Sequence, residues 1–98
     1  MATNAHTRQA LTDPQVTSLA ALGLMVRAHR RAAGLRIDDA AALAGVSVDL
    51  LSRLENGRSG VATDRLLKVL DALGVAMVVI DKAKLRRLCN ELDAADAQ

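Results

Sequence analysis

The chain has 98 residues, 51% of them apolar and 24% charged, with 13 Lys or Arg against 11 Asp or Glu. Length and composition describe one small globular domain with tails, and exclude a disordered or multi-domain chain. A net charge of +2 is only a weak pull toward an anionic partner, and with no Phe, Trp or Tyr the core must be built from Leu, Val, Ile, Met and Ala.

Residues 1–12 are polar and without pattern, and read as a flexible arm whose Arg8 could reach a phosphate. Asp13 and Pro14 read as a helix start, an N-cap followed by a proline at the first helical position; Ser18 is the latest alternative start. Val16, Leu19, Leu22, Val26 and the small Ala33 then recur at helical spacing, which predicts a first helix over roughly 14–33, stopped by Gly34. Gly23 inside it either costs about 1 kcal/mol relative to Ala or lets a neighbouring helix come close.

Residues 37–57 are the centre of the chain: two short helices and one tight turn. The second helix, about 37–44, carries Asp38 and Asp39 in its first turn, where the helix dipole favours them. Ala40, Ala41 and Ala44 are its inward positions, small enough for close crossing. Gly45 takes the turn and Val46 plugs the corner. The third helix, about 48–56, has Ser47 as N-cap, Leu51 and Leu54 inward, and Val48, Asp49, Ser52 and Arg53 outward. Gly57 ends it. Such a unit holds one helix out for insertion into a DNA groove. Arg27, Arg30, Arg31, Arg36, Arg53, Arg58 and Arg65 lie in or beside it.

After a loop at 58–61, a fourth helix over about 62–73 has Leu66, Leu67, Val69, Leu70 and Leu73 as its apolar stripe, and Gly74 closes it. Residues 75–80 change character: Val75, Met77, Val78, Val79 and Ile80 with Ala76 make an uninterrupted apolar run that suits a strand covered on both faces. A lone strand leaves its backbone unsatisfied, so it is expected to pair with its own copy in a homodimer. An apolar end to the fourth helix is the alternative, opposed by Gly74 and the Val and Ile content. The tail, 82–98, has Leu85, Leu88 and Leu92 at helical spacing. Its basic start and acidic end oppose the helix dipole, so a helix there needs docking, and order is expected to fail after about residue 93.

Other chemistries find little support. Cys89 is alone, and His6 and His29 lack Cys or acidic neighbours at ligand spacing, so neither a disulfide, a metal nor a cofactor is expected. No Ser/His/Asp or Cys/His constellation suggests an enzyme. With no signal core and no membrane-spanning run, the expected location is cytoplasmic.

Leu22, Gly23, Val26, Arg27 and Arg30; Gly34 and Leu35; Ala41; Gly45, Val46 and Ser47; Leu51, Ser52, Leu54, Glu55, Asn56 and Gly57; and Leu66 to Leu70 with Leu73 and Gly74 together resemble the Xre/lambda-repressor helix-turn-helix family over about residues 18–74. The continuation from Leu73 through Asp81 resembles its HipB-like branch. The resemblance implies a mainly α, four-to-five-helix lambda-repressor-like domain at 13–74, with the helix-turn-helix at about 37–56. It implies a dimerisation strand at 75–81, pairing across a homodimer, and a tail at 82–98. It also implies a transcriptional repressor of double-stranded DNA with a palindromic operator, acting as antitoxin to a HipA-like kinase toxin and repressing its own operon.

Carried onto this sequence, the family pattern implies base reading by Val48, Asp49 and Arg53, with Arg53 suited to guanine and Val48 to a thymine methyl. It implies phosphate contacts from Ser47, Ser52, Asn56 and Arg58, and a structural ion pair between Arg30 and Glu55. Two departures stand out. Arg36 and Ile37 occupy the places where the family has Ser/Thr and a phosphate-holding Gln, leaving Arg36 to act by charge. Leu43 and Leu50 stand where polar residues are common; they are either packed by the first helix or the arm, or form a partner patch. A stand-alone Xre-type regulator, or an interaction module without DNA binding, are the competing readings.

Overall fold

The computed structural model describes residues 15–96. The expected arm, the Asp13-Pro14 helix start and the last two residues lie outside them. In chain order the helices are α1 (Leu19–Ala32), α2 (Ile37–Ala44), α3 (Val48–Glu55), α4 (Thr63–Ala72) and α5 (Lys82–Asp96). No strand occurs among the described residues.

Ser18, not a residue upstream, starts α1. Its backbone is extended, and its hydroxyl accepts the Ala21 N–H at 3.1 Å, while 15–17 are outside any helix. His29, Arg30 and Arg31 fill the last turn, where the dipole favours cations. α2 begins at Arg36 without a side-chain cap, and Asp38 and Asp39 supply the favourable charge instead. Its end is the turn of the motif. Gly45 sits at φ 72°, and Val46 donates its N–H to the Ala41 carbonyl at 3.0 Å, so the chain reverses within three residues. Ser47 immediately caps α3 by accepting the Leu50 N–H at 3.0 Å.

The core is Val26, Ala40, Ala41, Ala44, Leu51, Leu54, Val69 and Leu70, flanked by Leu22, Leu35, Ile37, Val46, Leu66, Leu73 and Val75. Three helix pairs build it: α1 with α3, α2 with α3, and α2 with α4. The alanines of α2 let it face both α3 and α4. α1 crosses the end of α3 so closely that neither backbone tolerates a side chain there. A methyl group on Gly23 would lie 2.5 Å from the Leu54 and Glu55 carbonyl oxygens, and one on Gly57 would lie 2.7 Å from Ala20 Cα. Gly23 is therefore the contact glycine of the two alternatives its sequence position allows.

Two expectations are corrected. Leu67 is not part of the buried stripe of α4; it is 49% exposed, because Val69 and Leu70 face the core and place Leu67 on the other side. The tail does not lose order at 93, since α5 continues to Asp96. Asp81 helps explain this: its carboxylate accepts the Lys84 N–H at 2.8 Å, an N-cap that brings negative charge to a basic helix start. The strand expected over 75–80 is one that pairs with a second copy, and the single chain forms no strand there. The segment is not helical either, and no backbone group of 76–80 bonds to another backbone group among the described residues.

Candidate nucleic-acid interface

The outer face of α3 is presented by the core beneath it. Leu51 and Leu54 are buried, which turns Val48 and Asp49 fully outward and leaves Ser52 and Arg53 half-buried on the flank. The free N–H groups at the start of α3 lie on the same side, with Ser47 exposed beside them. Apolar, acidic and basic groups therefore share one turn and a half of exposed helix.

Arg53 is not idle in the free chain. Its Nη2 donates to the Ser59 carbonyl at 3.0 Å, folding the guanidinium over the α3–α4 loop. Gly60 makes room, since a Cβ there would stand 2.9 Å from the same Nη2. Asn56 also faces inward along its own helix: its Nδ2 donates to the Ser52 carbonyl at 2.7 Å and lies 3.4 Å from the Ser52 hydroxyl. Arg58 is exposed, and its N–H is held by the Arg53 carbonyl at 3.0 Å. Arg36 stands at the start of α2, paired at 3.4 Å with Asp38, both side chains largely in water. An exposed pair of this kind contributes about 0–1 kcal/mol and leaves Arg36 available.

Behind this face lies the buried ion pair. Arg30 Nε donates to Glu55 Oε2 at 2.6 Å, Nη2 to Oε1 at 2.9 Å, and Nη1 to the Leu35 carbonyl at 3.0 Å. Both residues are buried, at 8% and 4% exposure. The hydrogen bond with Glu55 raises the Arg30 pKa above its ordinary value; burial opposes this, and the charge attraction adds to it. Arg27 places its Nε 3.5 Å from Glu55 Oε1, close enough for attraction, though that Nε makes no hydrogen bond. A carboxylate at the C-terminal end of α3 opposes the helix dipole, and two arginines of α1 offset it. The pair thus fixes α3 on α1 and sets the angle at which the outer face is shown.

The remaining candidates fall elsewhere. Leu43 is 63% exposed, so α1 does not cover it, whereas Leu50 is half-buried. Val75 rests on the core, while Met77, Val78, Val79 and Ile80 are exposed, Val79 at 91%. The Arg53–Ser59 bond and the Arg27 approach to Glu55 had no sequence signal. The Asn56–Ser52 contact had one, an amide four residues after a serine near a helix end. No helix among the described residues is long and apolar enough to cross a membrane.

Comparison with known proteins agrees with this geometry. A family model described as a helix-turn-helix domain matches residues 21–82. The curated proteins give no match. Among solved structures, a chain of the HipA-HipB-O2-O3 complex superposes with a TM-score of 0.64 at 20% identity, over 69% of this chain and 96% of that chain. At that identity the likeness is one of fold.

Proposed function

Since the chain belongs to the helix-turn-helix domain family, we propose that this DNA-binding regulator is a homodimeric repressor of a palindromic operator and a HipB-like antitoxin to a HipA-like kinase. The observation that carries the DNA-binding half is the exposed face of α3, held rigidly by a buried core and ion pair. The antitoxin half rests on the fold it shares with a chain of the HipA-HipB-O2-O3 complex.

In this reading the start of α3 enters the major groove. Arg53 leaves Ser59 and donates to guanine N7 and O6, a contact that contributes roughly 1–3 kcal/mol of discrimination. Val48 meets a thymine methyl, and Asp49 accepts from cytosine N4. Ser47, Ser52, Asn56, Arg58 and Arg36 hold phosphates and set the register. One α3 reads too few bases for tight binding, and two copies on half-sites roughly 34–36 Å apart solve this. Residues 76–80 support the dimer, being exposed, apolar and without backbone partners among the described residues. Two copies paired antiparallel would satisfy both backbones.

Gel shift on DNA upstream of the protein's own gene, with salt varied, tests the DNA-binding reading. Affinity should fall steeply with salt as counterions are released, and a flat response would contradict it. Arg53→Ala should relax base preference, while Arg58→Ala should weaken binding on all sequences alike. Equal losses from the two would overturn the assignment of their roles. Copurification with the product of an adjacent HipA-like kinase gene tests the antitoxin half. A module that binds only protein is the second reading, favoured by Leu43 in water and by Asp38, Asp39 and Asp49 on or near the face.

A further inference from the structure

We infer that α5 packs antiparallel against α5 of a second copy, with Leu85, Leu88 and Leu92 forming the seam and Cys89 close to the two-fold axis. This rests on the homodimer reading above and adds to it an interface that strand pairing does not require.

The first observation is a helix with little support from the domain. α5 is fifteen residues long, and it is in none of the close helix pairs that build the domain. Helices of that length are marginal in water on their own. Leu85, Leu88 and Leu92 recur three and four residues apart, the spacing of a coiled-coil seam, and Leu88 and Leu92 are about half exposed. The stripe is narrow, as suits one partner helix.

Charge selects the occupant and its direction. The first half of α5 carries Lys82, Lys84, Arg86 and Arg87; the second carries Glu91 and Asp93. Within one helix this order opposes the dipole. Beside an antiparallel copy it is favourable, because each basic start lies against an acidic, C-terminal half. Setting Leu88 against Leu88 of the second copy, with Leu85 against Leu92, brings Lys84 beside Glu91 of that copy, the two residues that flank the seam on one side. On the other side Cys89, at the middle of the helix, approaches its own copy. Parallel pairing would set lysine against lysine and glutamate against glutamate. A DNA backbone or an anionic membrane fits the basic half and is repelled by the acidic one.

Lengths agree as well. Two six-residue strands paired antiparallel make a ribbon about 20 Å long. A fifteen-residue helix spans about 22 Å. Two α5 helices leaving opposite ends of the ribbon and folding back along it overlap over nearly their whole length.

A short bismaleimide tests this on the full chain. Cys89 is the only thiol, so a covalent dimer should form, and Cys89→Ser should abolish it. Lys84→Glu should slow cross-linking several-fold, and adding Glu91→Lys should restore it. Random collision would not answer to that charge exchange. A chain that sediments as a dimer yet does not cross-link overturns the α5 interface and leaves the strand-paired dimer standing. A chain that sediments as a monomer overturns both. Loss of DNA affinity in Lys84→Glu that Glu91→Lys does not repair assigns α5 to DNA instead. Circular dichroism of each variant separates these outcomes from misfolding.

Discussion

Glu55 carries more of the structure than its size suggests. It is buried, it takes two hydrogen bonds from Arg30, and it stands at the end of the helix proposed to enter the major groove. Glu55→Ala leaves the Arg30 cation buried without its partner, and should cost about 3–5 kcal/mol in urea unfolding. Replacing both residues together, Arg30→Met with Glu55→Leu, should recover most of that loss, since a buried pair is stabilising mainly against the loss of one member. The Arg30 pKa is raised on folding, so its contribution is complete below the ordinary arginine value and is lost only as pH climbs through the folded one. The Arg30 cation therefore does not titrate across pH 5 to 9. This pair was legible only through the family pattern, because 25 residues separate its members. The bond from Arg53 to Ser59 was not legible at all: its acceptor is a main-chain carbonyl, which carries no residue-type signature.

At the scale of elements, the interface between α1 and α3 has no spare volume. In an exposed helix Gly→Ala stabilises by about 1 kcal/mol. At Gly23 the sign reverses, because the new methyl would meet two rigid carbonyls at 2.5 Å. Gly23→Ala should lose roughly 1–3 kcal/mol by chemical denaturation. Ser47→Ala removes the α3 cap and should cost about 1 kcal/mol. The helices were readable where local chemistry decides them, as with Ser47, Gly45 and the alanines of α2. They were less readable where several residues could serve. Asp13, Pro14 and Ser18 all resemble helix starts, and the structure caps α1 with Ser18. Leu67 continued an apolar run, but a helix buries only one face, and Val69 and Leu70 already occupy it.

The whole molecule has a small core of aliphatic and alanine side chains, and small domains bury a modest share of their surface. A second copy would remove Met77, Val78 and Val79 from water and add stability that depends on protein concentration. The melting temperature should therefore rise with dilution reversed, that is, as the chain is concentrated. Val78→Pro removes a ladder donor at the middle of the segment and should weaken the dimer in sedimentation, with the helices intact by circular dichroism. A Val78→Pro chain that dimerises as tightly as the unaltered one would count against pairing through 75–80. The sequence marked this segment as different through its Val and Ile content, and the structure agrees that it is not helix. Pairing between chains is legible only as a deficit, a run of backbone groups with nothing to bind.

The stowed position of Arg53 bears on how an operator would be found. In the proposed complex, a guanidinium already bonded to Ser59 exchanges that acceptor only for a better one. Phosphates alone can hold the protein on random sequence while Arg53 stays folded back, which leaves it free to slide. Recognition then becomes a separate swing of one side chain after arrival. Stopped-flow mixing should resolve two phases: an early one that slows with salt, and a later one insensitive to both salt and DNA concentration.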